Sequence, residues 1–485
     1  MKSSRNFNFK ALTQNNHTIS IEKEPIDNNL KLLKMIKEWL NNILTVRQIK
    51  TEQKDLTFKD DSNNETITLT ELISKNVPEF TDGATDQLSS VLFNGHMQTC
   101  YTGVKSFENI DQVNYERYIL TYPHGGEGAL DFVTTDPIEP NTTKEVLYPS
   151  QKPFEAPLTG HYLYLDPDSE KLSSQDSRPM MIMCHGLTGG SHESYLRSII
   201  KTIIDENSDK NDLETDFAVC VLNSRGCCQS RLTTPQLYNG GWTNDLRYCV
   251  QYLHKHFPNR SLYMMGFSLG AAIVTNYIGE ENTNSLIKCA MVMGTPWDLL
   301  ASANFIDSTR VGSKLYSPTL KQNLCNLVLL HKEFLEKDPV WKEMIENDMS
   351  GLSSVKEFDD IFTGPMFGYK DATDYYNNAS PKNRIAGIRT PFVSINALDD
   401  PIVGGTCIPD ELIKTNPFTM VLETNIGGHL GWFKDIYGQR WYPKPVAKFF
   451  HSFHNAIVAK GFKPINTLPE HKCPNVRTTF EVKIE

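Results

Sequence analysis

Ser268 stands in the pentapeptide Gly266-Phe267-Ser268-Leu269-Gly270. This is the G-x-S-x-G spacing of a nucleophile held on a sharp turn between a strand and a helix. The glycines have a steric reason, because side chains at both places would meet neighbouring backbone as the chain reverses. The serine is left standing clear of the turn. Residue frequency alone produces such a pentapeptide in roughly one chain in six or seven of this length. Context raises its weight: residues 261–267 read as a strand, and Gly270, Ala271 and Ala272 open a small-residue helix.

A serine hydroxyl is a poor nucleophile at neutral pH and needs a base. His429 lies in Asn425-Ile426-Gly427-Gly428-His429-Leu430-Gly431-Trp432, just after the last apolar run. The glycines around it let the imidazole come close to Ser268, take its proton and later return one to a leaving group. The expected order along the chain is Ser, acid, His. The acid is sought in Ala397-Leu398-Asp399-Asp400-Pro401. The spacing G-x-x-D followed by Pro puts Ala397 at the glycine and Asp400 at the acid. Asp399 remains the competitor, and whichever of the two is not the acid is expected to shape the loop. An oxyanion also needs amide donors. The N–H of Leu269 follows the nucleophile directly. The second donor is expected from His185-Gly186-Leu187, at the N–H of Leu187, with His185 bracing that loop.

These residues sit at the ends of short apolar runs. Residues 180–184, 216–222, 261–267, 289–293, 391–397 and 418–423 read as strands; 194–204, 243–257 and 441–458 read as helices. Near-continuous apolar strands alternating with helices predict an α/β fold, with a mostly parallel central sheet buried on both faces. Ligands in such sheets bind beyond the carboxyl ends of the strands. Residues 297–389 interrupt the alternation with helical patterns and are expected to form a helical cap insertion. The core is then expected at 91–296 and 390–460, with an N-terminal extension at 1–90 and a tail at 461–485. Helical spacing marks 30–44, and strand and loop signals mark 91–146.

Other candidates carry less. His161 and Asp166 have an H-x4-D spacing, but an offset of five on a strand turns them to opposite faces. Asn94-Gly95-His96-Met97-Gln98-Thr99 is dense in polar groups, which makes His96 a candidate to line the site. Arg225, in Asn223-Ser224-Arg225-Gly226, is expected to orient loops through Asp245 or Asp298. No P-loop and no dinucleotide fingerprint occurs.

The chain has 485 residues, 39% of them hydrophobic and 22% charged, and a net charge of −10. That balance argues against a nucleic-acid partner. The ten cysteines include no CxxC pair, so no metal site is expected, and a reducing, intracellular setting is. The polar start lacks the apolar core of a secretory signal. No apolar run reaches the ~18 residues of a membrane span.

Together these motifs resemble the AB hydrolase 4 family, over about residues 85–460. The carriers are Asn94–Thr99, His185–Gly190, Asn223–Cys227, Gly266–Gly270, Asn396–Pro401 and Gly427–Trp432. The family includes bacterial YheT-like hydrolases, monoacylglycerol- and phospholipid-acting relatives, and fungal medium-chain fatty acid ethyl ester synthase/esterases. The Asn-rich N-terminal segment departs from the compact bacterial form and points to the fungal branch. The resemblance implies the α/β-hydrolase fold and an acyl-enzyme on Ser268. Its substrates would be medium-chain acyl esters or acyl-coenzyme A, with water or an alcohol as acceptor and no cofactor. A monoacylglycerol lipase is the alternative, and a non-catalytic lipid-binding scaffold a further one. A cytoplasmic location follows, with lipid-droplet or mitochondrial surfaces and peripheral lipid contact left open.

Overall fold

A computed structural model describes residues 42–471, apart from 53–54, 124, 139–161, 211–215 and 350. In chain order the strands are β1 (Ile43–Ile49), β2 (Thr57–Lys59), β3 (Thr66–Thr68), β4 (Thr85–Gln87), β5 (Asn114–Thr121), β6 (Glu127–Thr134) and β7 (Tyr162–Tyr164). They continue with β8 (Met180–Cys184), β9 (Ala218–Asn223), β10 (Leu262–Phe267), β11 (Ile287–Met293), β12 (Phe392–Ala397), β13 (Thr419–Thr424) and β14 (Lys463–Pro464).

Eleven strands form one sheet, in the order β4-β1-β13-β12-β11-β10-β8-β9-β6-β5-β7. The six strands from β13 to β9 run parallel. In β8, β10, β12 and β13 every residue is buried, as a sheet covered on both faces requires. The Ser194–Lys210 helix packs beside Pro443–Phe453, and Asn244–His256 packs beside Leu269–Glu281. Between β11 and β12 the chain is helical, including Leu299–Ser308, Ser317–Leu330, Pro339–Asp348 and Ala372–Ala379. Among the described residues no helix is long and apolar enough to cross a membrane.

Two expectations are corrected. The core begins well before residue 91, because β1 pairs antiparallel with β13 and β4 pairs with β1. The helical spacing over 30–44 runs into this strand: Ile43 and Leu44 are its first residues, and the part before residue 42 lies outside the described residues. From residue 43 the period is two, with Leu44 and Val46 buried and Thr45 between them turned partly outward. Secondly, Gly95–Val104 is a helix, where strands and loops were expected. Its buried positions are Gly95, Gln98 and Thr99, small or polar residues that give no apolar stripe. Asn94 caps it by accepting from the N–H of Met97. Within the tail, β14 pairs with β2. His161 and residues 472–485 lie outside the described residues.

Candidate functional site

The turn after β10 holds Ser268 at φ 52° and ψ −118°, a left-handed conformation that costs a non-glycine residue about 1–3 kcal/mol. The Ser268 N–H donates to the carbonyl of Met293, 2.9 Å away on β11. Its own carbonyl accepts from Ala271 and Ala272 in the following helix. Both glycines are sterically required. A Cβ at Gly266 would lie 2.6 Å from the Gly270 carbonyl oxygen and 2.8 Å from the Ala271 Cα. One at Gly270 would collide with the carbonyls of Cys184 and His185.

His429 reaches this turn from the loop after β13. Its Nε2 lies 2.8 Å from Ser268 Oγ, and its Nδ1 lies 2.7 Å from Asp400 Oδ2. The ring passes over Gly294, where a Cβ would stand 3.3 Å from its Cε1. Asp400 is buried at the end of β12, with 1% of its surface exposed. Its Oδ1 accepts from the N–H groups of Ile402 (2.8 Å) and Val403 (3.1 Å). These two amides fix the carboxylate and aim Oδ2 at the imidazole. Nδ1 then carries the proton, and Nε2 presents a lone pair to the serine.

Asp399 has the other task. Its Oδ1 accepts the Gly428 N–H at 2.9 Å, next to the histidine. Burial, with Asp400 adding to it, pushes the Asp399 carboxyl up to about 6, against the pull of that amide. Of the two aspartates, the structure brings Asp400 to the imidazole and Asp399 to the backbone that carries it.

The oxyanion candidates have the expected surroundings. The Gly186 N–H donates to Tyr195 Oη at 2.9 Å, and the Thr188 N–H to Tyr238 Oη at 2.7 Å. Between them the Leu187 N–H has no acceptor among the described residues, and neither has that of Leu269. Both leucines line the same pocket as Ser268 and His429. His185 is a brace: Nδ1 donates to the Gly186 carbonyl at 2.7 Å, and Nε2 accepts from the Ser224 N–H at 3.0 Å. Burial pushes it down to about 4, so it is neutral at ordinary pH.

Arg225 is fully buried and makes two hydrogen bonds of 2.7 Å to Asp245, which ties the loop after β9 to the Asn244–His256 helix. Asp298 instead caps the Leu299–Ser308 helix and pairs with Lys382. His96 stacks on Tyr316 with ring centroids 5.8 Å apart, outside the pocket. Two neighbours of His96, which spacing alone did not single out, hold the backbone around His429. Thr99 Oγ1 accepts the His429 N–H at 2.9 Å, and Gln98 Oε1 accepts the Phe433 N–H at 2.8 Å. The polar density of Asn94–Thr99 was the only signal for them.

The pocket, of about 140 Å³, opens on Ser268 and His429. Leu299, Ala303, Ile306, Leu320 and Leu324, all between β11 and β12, give it an apolar wall. Such a wall suits an acyl chain.

Residues 179–431 match the family model for the alpha/beta hydrolase fold, and the chain belongs to that family. Its sheet and flanking helices are those of this fold, and several of its curated relatives are lipases or esterases by name. A monoacylglycerol lipase of Saccharomyces cerevisiae is 49% identical over 454 residues, covering 92% of this chain and 99% of its own. The medium-chain fatty acid ethyl ester synthase/esterase 2 of the same yeast is 32% identical, covering 85% of this chain and 96% of its own. An abhydrolase domain-containing protein of Dictyostelium discoideum is 27% identical, covering 82% and 87%.

Proposed function

We propose that this chain is a serine ester hydrolase of monoacylglycerols, in the AB hydrolase 4 branch of its family. The observation that carries the reading is the hydrogen-bonded chain from Ser268 through His429 to Asp400, opening on a pocket with an apolar wall. His429 Nε2 takes the hydroxyl proton as Ser268 Oγ attacks the ester carbon. The N–H groups of Leu187 and Leu269 receive the developing oxyanion. Collapse expels the alcohol, which leaves with the proton from His429. Water repeats the cycle on the acyl-enzyme and frees the fatty acid.

The leading expectation from the motifs was medium-chain acyl ester chemistry, with water or an alcohol as acceptor. The 49% relative favours the monoacylglycerol alternative, while the ethyl ester synthase is the more distant at 32%. Alcoholysis is the second reading, supported by that latter name: ethanol would replace water at the acyl-enzyme, and acyl-coenzyme A would be the donor. Peripheral contact with lipid finds support in exposed Val311, Leu315, Leu329, Leu330 and Val340. Liposome flotation tests it.

The test of the main reading uses 1-octanoylglycerol, octanoyl-coenzyme A with and without ethanol, and a fluorophosphonate probe. Release of octanoate from the glycerol ester, with labelling lost in Ser268→Ala, is expected. Ethyl octanoate as the dominant product would favour alcoholysis. Unchanged labelling of Ser268→Ala would reject the nucleophile.

A further inference from the structure

One wall of the pocket is polar in a way that the proposed chemistry does not use. Asp359 lines the cavity together with Ser268 and His429, and only 7% of its surface is exposed. Its Oδ1 accepts from Thr363 Oγ1, and its Oδ2 from Tyr376 Oη at 2.6 Å. A carboxylate offers about four acceptor positions, so two remain open. Among the described residues no cation lies within ion-pair distance of it, although Lys356 borders the same cavity. Burial pushes the carboxyl up to about 6, which leaves it mainly ionised at neutral pH.

Asn239 faces the same cavity and is 3% exposed. Its Oδ1 accepts the Gly241 N–H at 2.7 Å, which assigns the amide's orientation. The amide nitrogen then donates to nothing among the described residues. The two side chains belong to one wall. Gly240, next to Asn239, donates its N–H to Tyr375 Oη at 2.8 Å, and the rings of Tyr375 and Tyr376 lie 5.2 Å apart. The same glycine touches the nucleophile's neighbour: a Cβ there would stand 3.1 Å from Leu269 Cδ1.

This wall therefore adjoins Ser268 with a spare donor and spare anionic acceptors. A fatty chain has nothing to give them, and a dry contact would leave buried polar groups unpaired at about 1–3 kcal/mol each. A phosphate head group would bring a second negative charge to Asp359. A simple alkyl ester has no free hydroxyl at all. A neutral polyol ester has two, each able to donate and to accept. We propose that Asn239 and Asp359 form a hydroxyl-binding subsite for the alcohol part of the ester, selecting glycerol esters over alkyl esters of the same acid. This deepens the monoacylglycerol reading and rests on it.

The experiment compares kcat/KM for 1-octanoylglycerol, ethyl octanoate and p-nitrophenyl octanoate in the full chain, in Asp359→Asn and in Asn239→Asp. The second variant keeps the acceptor for Gly241 and removes the donor, so the proposal stays testable if Asp359→Asn does not fold. The ratio of glycerol ester to ethyl ester is expected to fall roughly tenfold or more in each variant, the loss typical of a hydrogen bond to a charged or desolvated group. Equal losses on all three esters, or an unchanged ratio, would overturn the subsite and leave the hydrolase reading standing. A wild-type chain inert on all three would overturn both.

Discussion

Replacing Asp400 with asparagine changes one atom, and the structure says how much that atom matters. The Asp400 Oδ1 is gripped by the N–H groups of Ile402 and Val403. An asparagine must keep its carbonyl oxygen there, because its NH₂ would face two donors. The NH₂ then points at His429 Nδ1, which must answer with a lone pair. The ring proton moves to Nε2, and the imidazole can no longer accept from Ser268. Restoring the working tautomer means turning the amide round. That leaves two buried amides unpaired, at about 1–3 kcal/mol each, or roughly 2–6 kcal/mol together. At about 1.4 kcal/mol per decade, turnover falls roughly 30- to 20,000-fold. The upper end agrees with the ~10⁴ typical of this substitution in serine triads. The assay is kcat on 1-octanoylglycerol, with circular dichroism to show that the variant unfolds as cooperatively as wild type. Asp399→Asn is the control, and it is expected to lose less than about tenfold. Activity of Asp400→Asn within threefold of wild type would refute the reasoning, and so would a greater loss in Asp399→Asn.

Further outcomes follow from the same geometry. Gly266→Ala forces a methyl to 2.6 Å from backbone oxygen and is expected to lower the unfolding midpoint sharply or abolish folding; a midpoint within 2 °C of wild type, by the ~1–3 kcal/mol typical of overpacking, would contradict it. Arg225→Met leaves Asp245 as a buried unpaired charge, for a loss of about 3–5 kcal/mol in urea unfolding, and the double change Arg225→Met/Asp245→Leu is expected to recover much of it. His185 is held neutral, with its folded value depressed from the ordinary 6.5 to about 4. The unfolded chain therefore binds more protons between those values, and stability present above pH 6.5 is lost as pH falls towards 4, by about 3 kcal/mol from this group. Thermal unfolding from pH 7.5 to 4.5 should show a weaker acid loss in His185→Asn than in wild type. Parallel curves would exclude the assignment.

The parts of this fold that could be read in advance share a physical cause. Strands buried on both faces must be apolar throughout, so 180–184, 391–397 and 418–423 stood out from the chain. The candidate site residues sit where those runs stop, and Ser268, Asp400 and His429, expected in that order, meet in one hydrogen-bonded chain. The parts that escaped depend on partners distant in sequence. The first residues of strand β1, Ile43 and Leu44, were read as the end of a helical run, because the strand's pairing partner lies nearly 380 residues away. Thr99 reaches His429 across 330 residues, and no local spacing records that contact. Asn239 and Asp359 were invisible for a different reason. Their chemistry comes from what is missing around them, and only coordinates show an unmet donor or an uncompensated carboxylate.

The support of the His429 loop sets a lower limit on how small this enzyme can be made. The stretch recognisable as a hydrolase fold, 179–431, contains Ser268, Asp400 and His429. Yet Thr99 and Gln98 brace the backbone around His429 from outside that stretch, and β1 flanks β13 along the edge from which the loop departs. A fragment trimmed to the recognisable stretch would keep all three members of the proposed triad and lose the struts that hold the His429 loop.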